Sequence, residues 1–336
     1  MTPFVASPRS GPEPFLPPLA DTEFLIALLA EVTNQDPGTV RYRYEREKRQ
    51  LGSNVRDALV QWGLQPYVWD DRLSDFYSQT DAFLFETLVW NQHPVKVQMR
   101  QWMGEFFQRD VGCAARVLTF GDGLGVDSLY LAQLGHAVDY FEVSQPCARF
   151  AQALGARLNP TLNLIDSKEK LAPRAYDVVV CLDVLEHVPD PAKLVEELSG
   201  WLRPAGRLIV HAPFWHIHPS VGTHLASNRT YSGDLSRLYK PAGLRLIDGH
   251  FFWSPIVLEM TRGTRLRTPV PWGRRLALAL GGALLSVARL WNWPHELVWM
   301  IARASRGSKT PVAPTSAASD TCRSTRNEFA RHESRA

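Results

Sequence analysis

The strongest constraint on the fold is a stretch, residues 111 to about 262, in which short apolar runs alternate with helical segments. Four of these runs read as buried strands: RVLTF, AVDYFEV, YDVVVCLDV and RLIVHAPF. Strands that are apolar on both faces predict a parallel sheet covered by helices on both sides. GLRLIDGHFF and PIVLEMT lie too close together for a crossover helix, so we expect an antiparallel pair at one edge. The pattern predicts a doubly wound, mainly parallel α/β fold.

The remaining sequence divides by composition. Residues 21–110 carry apolar residues at helical spacing and predict a helical N-terminal region, a candidate substrate cap over the domain formed by residues 111–265. Residues 266–305 are basic and apolar and predict C-terminal helices. Residues 1–20 and 306–336 are rich in Pro, Ser, Thr, Ala and Arg, which is typical of disorder.

Charge is distributed unevenly along the chain. From Arg262 onward there are 13 Lys and Arg against 4 Asp and Glu, about +9, whereas residues 1–261 hold 24 against 30, about −6. The net negative balance of residues 1–261 argues against nucleic acid as a partner, since a phosphate-binding face requires clustered positive charge. The four cysteines show no CxxC spacing, and no apolar leader follows a basic start, so the expected compartment is the cytoplasm.

VLTFGDGLG, residues 117–125, places three glycines directly behind the first strand. Gly121, Gly123 and Gly125 fall at the first strand–helix turn, where doubly wound sheets bind their ligands. Glycine accepts a positive φ and lets a ligand approach the backbone, and the next helix presents unpaired N–H groups. A nicotinamide-dependent dehydrogenase has similar glycines, but its spacing is G-x-G-x-x-G.

A single acidic residue ends the second strand. Glu142 in AVDYFEVSQ can accept hydrogen bonds from both hydroxyls of a ribose. Beside a glycine turn on the neighbouring strand, this role is favoured over that of an ordinary exposed strand-end acid.

A third stretch completes a family resemblance. It carries the motif L-E-H-V at residues 185–188, behind the fourth strand, and L-R-P-A-G at residues 202–206, before the fifth. Together with the glycine turn and the strand-end acid, these motifs make residues 111–262 resemble class I S-adenosylmethionine-dependent methyltransferases, particularly those that methylate small molecules and quinone precursors. The resemblance implies the sheet order 3-2-1-4-5-7-6, with strand 7 antiparallel.

The resemblance also implies a binding site for S-adenosyl-L-methionine. The three glycines would face its methionine part, Glu142 would bind its ribose, and Asp166 would lie beside its adenine. Leu182 and Asp183 would close the pocket from the fourth strand.

The glycine motif departs from the family at its first position. The family usually has an acid there, which holds the cofactor's ammonium or orders the loop, and this chain has Thr119. Thr119 can accept a hydrogen bond but has no charge. Asp122, between the first two glycines, is expected to substitute for the acid from a shifted direction.

Methyl transfer from a sulfonium is an in-line displacement, so the protein chiefly supplies alignment, plus a base where the acceptor loses a proton. The loop after the fifth strand carries His211, His216, His218, His224 and Tyr231. Of the residues near the sheet edge, His187, His216, His218 and Tyr231 are the candidate bases. Histidines that only order their own loops are the alternative. We expect no metal, because no carboxylate pattern completes a ligand set around the histidine loop.

The segment 271–305 allows two interpretations. Its run LALALGGALLSVA has 13 residues and is shorter than the about 20 apolar residues that span a bilayer. Trp291, Trp293 and Trp299, with arginines around them, suit a peripheral position at a membrane interface. Helices that pack on the domain are the equal alternative. A position on the inner face of the membrane would favour a lipid-linked or quinone-like acceptor.

The leading hypothesis is therefore a methyltransferase that acts on a small or lipid-like acceptor, at oxygen. A nicotinamide-dependent oxidoreductase is the first alternative. The second is a non-catalytic protein that keeps the cofactor pocket and serves as an interaction partner, which only Thr119 supports. The sequence does not identify the acceptor, because acceptor specificity resides outside the shared sheet.

Overall fold

The structure is a computed structural model of the chain. It describes residues 17–158, 162–233, 235–249, 255–264 and 267–288. Trp291, Trp293 and Trp299, the predicted tail 306–336 and most of the predicted N-terminal disorder lie outside the described residues. Pro17–Ala20 form a 3₁₀ turn with Leu19 buried, so the disorder predicted through residue 20 is wrong for these four residues. Leu19 belongs to an apolar cluster, which orders the turn.

In the part of the chain that the structure describes, six α-helices precede the sheet. They are α1 Thr22–Thr33, α2 Pro37–Arg49, α3 Ser53–Gln61, α4 Leu73–Gln79, α5 Ala82–Gln92 and α6 Pro94–Phe106. Asp21 caps α1 as expected, because its carboxylate accepts the N–H groups of Glu23 and Phe24 at 3.0 and 3.1 Å. Pro94 opens α6, since proline has no N–H and suits a first helical position.

The sheet has the predicted order β3-β2-β1-β4-β5-β7-β6. Its strands are β1 Arg116–Phe120, β2 Ala137–Phe141, β3 Asn163–Ile165, β4 Tyr176–Leu182, β5 Leu202–His211, β6 Leu244–Gly249 and β7 Ile256–Met260. The pairs from β3 to β5 are parallel, and β7 is antiparallel to both β5 and β6. The helices that accompany the strands are α7 Val126–Gln133, α8 Gln145–Leu158, α9 Pro191–Trp201 and α10 Leu235–Tyr239.

Two apolar clusters explain how the parts pack. The central strands β1, β4 and β5 are buried along most of their length, as apolar strands covered on both faces must be. A second cluster joins the N-terminal helices to α7 and α8, with Leu25 and Phe85 on one side and Leu129 and Phe150 on the other. The N-terminal helices therefore lie against the sheet domain, close to the glycine turn.

The last described element is α11, Trp272–Ala288. It is the part of the predicted C-terminal helices that the structure describes. Of its side chains whose burial the structure describes, Leu278 alone is buried. Within the described residues, no helix combines the length and the apolar character needed to cross a bilayer.

Candidate active site

The turn after β1 requires glycine for two reasons. Gly121, Gly123 and Gly125 all have a positive φ, between 56° and 74°. A Cβ on Gly121 would lie 2.6 Å from Val184 Cγ2, and a Cβ on Gly123 would lie 2.9 Å from Thr87 Cγ2. The turn therefore packs between the segment after β4 and helix α5.

Glu142 lies directly beside this turn. One carboxylate oxygen accepts the N–H of Gly123 at 2.7 Å, and the other accepts the N–H of Ser144 at 2.8 Å. The N–H of Gly121 donates to the carbonyl of Phe141 at 2.8 Å, which joins the two bends again. Burial raises the pKa of Glu142, and the backbone N–H donors partly offset that effect. The two bends thus lie together, as a shared ribose site requires.

Thr119 and Asp122 are linked through one serine. The hydroxyl of Thr119 lies 2.7 Å from Ser128 Oγ, and the Asp122 carboxylate accepts the Ser128 N–H at 2.7 Å and its hydroxyl at 2.5 Å. Burial and the nearby charge of Asp127 raise the pKa of Asp122 to about 7. Asp122 therefore caps the first turn of α7, and the buried Thr119 supports that cap. Direct contacts of either residue with the cofactor stay predictions.

Asp183 follows β4 and is the centre of a charged cluster. Its φ is 58°, a left-handed conformation that aspartate tolerates better than most residues. Its carboxylate accepts from Trp90 Nε1 at 3.0 Å and from His211 Nδ1 at 2.5 Å, and it lies 3.4 Å from Lys96 Nζ. Burial raises its pKa, but Lys96 and His211 outweigh that effect and hold the pKa well below its usual range. Asp183 is therefore a carboxylate at neutral pH.

Helix α6 supplies two buried cations to this cluster. Lys96 Nζ lies 3.1 Å from Asp127, and Arg100 Nε donates to the same carboxylate at 2.7 Å. Burial lowers the pKa of Lys96, but Asp127 and Asp183 outweigh that effect and raise it. Neither cation was predicted from the sequence. Their signal was the i, i+4 spacing on a helix face that is otherwise apolar.

A second buried cluster lies in the L-E-H-V turn. Glu186 is 1% exposed, and among the described residues neither of its carboxylate oxygens has a hydrogen-bond partner. His187 Nδ1 lies 3.2 Å from the carbonyl of Thr223, and His224 Nδ1 lies 2.7 Å from the carbonyl of His216. Because a carbonyl can only accept, these contacts favour the tautomer with the proton on Nδ1, in which each Nε2 presents a lone pair.

Burial governs protonation in this cluster. It raises the pKa of Glu186 well above its usual range and lowers that of His187 to about 4. Both histidines are therefore uncharged at neutral pH, since burial also lowers the pKa of His224, and burial favours the protonated form of Glu186. Ligand atoms of these three residues lie within 4.8 Å of one another. The stated reason for expecting no metal, that no carboxylate joins the histidines, is thus wrong, although the described structure does not test the expectation itself.

The other predicted site residues lie in the loop after β5 and at the end of β4. The rings of His216 and His218 stack with centroids 5.7 Å apart, and His218 Nδ1 accepts the N–H of Ser220 within its own loop. Tyr231 packs on Phe214. Leu182 is buried at the end of β4, and its role in closing the cofactor pocket stays a prediction.

Asp166 is turned towards solvent. Its side chain is 72% exposed and pairs with Lys170 at 2.7 Å. The pairing lowers its pKa, since the Lys170 hydrogen bond favours the carboxylate. Its place beside the adenine stays a prediction, and it is the least enclosed of the proposed cofactor residues.

Comparison with known proteins agrees with this architecture. The family model described as "Methyltransferase domain" matches residues 118–210. The chain is 29% identical over 157 residues to the ubiquinone biosynthesis O-methyltransferase of Neisseria meningitidis serogroup A, covering 40% of this chain and 66% of that protein. The protein of the same name from Xylella fastidiosa is 28% identical over 151 residues, and the match covers 42% of this chain and 61% of that protein. The match spans less than two thirds of the length of these relatives.

Among solved structures, a SAM-dependent methyltransferase from Aquifex aeolicus matches 50% of this chain and 94% of its own, at 16% identity and a TM-score of 0.40. The magnesium protoporphyrin IX methyltransferase of Synechocystis PCC 6803 matches 56% and 88% of the two chains, at 19% identity and a TM-score of 0.40. The fold assignment depends on the observed strand order and not on these matches. Residues 118–210 therefore match a methyltransferase domain, and the motifs and strand order around them are those that the resemblance to class I S-adenosylmethionine-dependent methyltransferases implies.

Proposed function

We propose that this protein transfers a methyl group from S-adenosyl-L-methionine to an oxygen atom of a small acceptor. The observation that carries the proposal is the contact between the Glu142 carboxylate and the N–H of Gly123 at 2.7 Å. It brings a ribose-binding acid and a bare-backbone turn to adjacent strand ends, which is where this fold class binds nucleosides. The names of the ubiquinone biosynthesis O-methyltransferases support oxygen as the accepting atom.

The described residues suit this cofactor. When bound, S-adenosylmethionine supplies a methyl group activated by a sulfonium. Glu142 would accept the ribose hydroxyls through lone pairs that its backbone contacts leave available. Lys96 would bind the carboxylate of the methionine part, since its ammonium is a buried cation beside the glycine turn's own acid, Asp122. Asp183 would hold the ammonium, because it remains ionised.

Three further residues complete the proposed cofactor site. Leu182 would lie against the adenine as an apolar wall at the end of β4, and Asp166 would approach it from the solvent side. Thr119 would act on the turn through Ser128. The acid that the family usually has at the first motif position is thus replaced by a linked pair, Thr119 and Asp122.

The Glu186 cluster is the proposed acceptor site. A buried carboxyl group without a partner carries a desolvation cost of about 1–3 kcal/mol, which a hydroxyl group of an acceptor would relieve. His187 is neutral at pH 7 and presents Nε2 as the base that takes the acceptor's proton. Tyr77, whose hydroxyl lies 3.1 Å from His187 Nδ1, would hold the ring in place from the N-terminal helices. His216, His218 and Tyr231 would line the entrance.

The N-terminal helices are the proposed substrate cap. The N–H of Tyr67 donates to the carbonyl of Gly222, in the loop after β5, at 2.8 Å. The N–H of Ala226, in the same loop, donates to the carbonyl of Tyr67 at 2.9 Å. Arg56 donates to the carbonyl of Pro219 at 2.8 Å. These bonds join the helical region to the loop that carries the histidines, so both would shape one acceptor pocket. We further propose a lipid-linked or quinone-like acceptor, reached by peripheral contact of residues 271–305 with the inner face of a membrane.

The oxidoreductase alternative is disfavoured by the sheet. A doubly wound dinucleotide-binding sheet has the parallel order 3-2-1-4-5-6, whereas here β7 reverses direction between β5 and β6. A non-catalytic cofactor-binding protein differs from the proposal only in turnover, so one assay separates the two.

The test begins with calorimetric titration of S-adenosylmethionine, and of NAD as the competing ligand, into the full chain. We expect binding of the first alone. Glu142→Ala should raise the Kd by about 10- to 100-fold, since it removes charge-assisted hydrogen bonds. His187→Gln should lower turnover of methyl-labelled cofactor in cell extract while the Kd stays within about twofold. Mass spectrometry of the labelled product would identify the acceptor.

Absence of any affinity for S-adenosylmethionine would contradict the proposal. Binding without transfer, in extracts of the source cell, would favour the non-catalytic alternative. His216→Ala and His218→Ala serve as comparison variants. If either lowers turnover more than His187→Gln, the base lies in the loop after β5.

A further inference from the structure

Helix α11 presents a continuous apolar stripe to solvent. The large apolar side chains exposed on it are Trp272, Leu276, Leu280, Leu284 and Val287, with exposures of 46–78%. They recur every three or four residues, so they lie on one face of the helix. Leu278 is buried against the domain on the opposite face. A 17-residue helix extends for about 25 Å, and an exposed apolar stripe of that length marks an interaction surface.

The charge of this helix is entirely basic. It contains Arg274 and Arg275 and no Asp or Glu. Arg274 is paired with Asp248 at 3.3 Å, whereas Arg275 is exposed and donates through Nε to the carbonyl of Val270. A second copy of the chain would bring the same arginines to a symmetric contact without an acid on α11 to pair with them. An anionic surface is the complementary partner.

A cavity beside the stripe adds a site for a single ligand. It has a volume of about 340 Å³ and is lined by Arg245, Leu246, Val270, Arg275, Leu278 and Ala279. Arg245 is already paired with Glu259 at 2.6 Å, so the positive charge that the cavity offers to a ligand comes from Arg275. Apolar walls with this guanidinium suit an amphiphile that has an anionic head.

We propose that the α11 face, defined by the exposed stripe and this cavity, binds the surface of an anionic phospholipid bilayer. The apolar stripe would enter the boundary between headgroups and acyl chains, and Arg275 would lie at the level of the phosphates. This inference deepens the proposed membrane contact and assigns it to named residues. It holds or fails separately from methyl transfer, because α11 packs beside β6 at the sheet edge opposite β3.

The test is vesicle flotation of the full chain at low salt. We expect it to float with vesicles of phosphatidylcholine and phosphatidylglycerol and to stay at the bottom with phosphatidylcholine alone. Leu280→Asp with Leu284→Asp should lower the partition coefficient at least about tenfold, since two half-exposed leucines no longer enter the apolar layer. Arg275→Gln should lower it about fivefold. Val60→Asp, at a 79% exposed position of α3, is the matched control and should float like the unmodified chain.

Three outcomes would overturn the proposal. They are an unmodified chain that stays at the bottom with both kinds of vesicle, a leucine double variant that floats unchanged, and neutral vesicles that bind as well as anionic ones. Light scattering that finds a dimer, dissociated by the double variant and indifferent to vesicles, would instead assign the face to a second copy. Inorganic phosphate that releases the chain at millimolar concentration would assign the cavity to a free anion. S-adenosylmethionine is titrated into the same variants, and its binding tests the methyltransferase proposal separately from membrane binding.

Discussion

Replacing Lys96 by methionine tests the buried cation that the sequence did not reveal. The substitution keeps most of the volume of the side chain and removes one charge. Asp127 keeps Arg100 at 2.7 Å, and Asp183 keeps His211 at 2.5 Å and Trp90 at 3.0 Å. Because neither carboxylate is left without a partner, we expect a loss of about 2 kcal/mol in the free energy of unfolding, below the about 3–5 kcal/mol of a broken buried pair.

The effect on binding should be larger and specific to one part of the ligand. A hydrogen bond to a charged group contributes about 1.5–3 kcal/mol, so the Kd for S-adenosylhomocysteine should rise about 10- to 150-fold. Methylthioadenosine, which lacks the amino and carboxylate groups, should bind both proteins with the same Kd. Calorimetry with the two ligands makes the comparison, and Lys48→Met, at an exposed lysine of α2, is the control.

One result would refute the reasoning about Lys96. If the affinities for both ligands fall together, or if neither changes, Lys96 does not contact the methionine part and serves only the packing of α6. A Tm loss without a change in affinity leads to the same conclusion. The unfolding measurement is therefore made on the same preparations.

The remaining predictions concern three buried positions. Burial raises the pKa of Glu86 to about 8 from an ordinary 4.5, so the stability of the folded chain falls as pH rises through that range. In urea unfolding, Glu86→Gln should therefore add about 2–3 kcal/mol to the free energy of unfolding at pH 7 and nothing near pH 4. Burial lowers the pKa of His187 from 6.5 to about 4, so the free energy of unfolding falls as pH drops through that window. His187→Gln should remove about 3 kcal/mol of this pH dependence, and an unchanged pH profile would contradict the prediction. Thr119→Asp should lower the Tm, because a second buried carboxyl would face Asp122 across Ser128; a higher Tm would show that the family's acid is simply missing here.

The sheet could be predicted because its information is local. Apolar runs such as Val178–Val180 have buried side chains on both faces, which requires covered strands, and the short spacing between β6 and β7 excludes a crossover helix. The glycine turn and Glu142 follow from the same logic, since parallel strands bring consecutive strand ends to one edge. The complete strand order, in contrast, came from the family resemblance.

The charged cluster could not be predicted because its members are distant in sequence. Lys96 and Asp183 are separated by 87 residues, and Trp90 and Asp183 by 93. Lys96 lies in a segment whose apolar spacing indicates a packed helix, and its i, i+4 spacing to Arg100 indicates a shared face without identifying the carboxylates that this face meets. The histidine loop shows the reverse problem. Its high density of histidines favoured His216 and His218 as candidates, whereas the histidine that is hydrogen-bonded to Asp183 is His211.

The position of the missing acid connects these observations. An acid at position 119 would lie within a hydrogen bond of Ser128, which already donates to Asp122. Asp122 has a pKa near 7 because burial and the charge of Asp127 oppose its ionisation. A further carboxylate would add to that repulsion, so a neutral hydroxyl at Thr119 is the residue compatible with an acid between the glycines. Thr119 and the buried cations of α6 therefore belong to one arrangement, in which the carboxyl groups lie in the turn, at Asp122, and in α7, at Asp127, and not at the strand end.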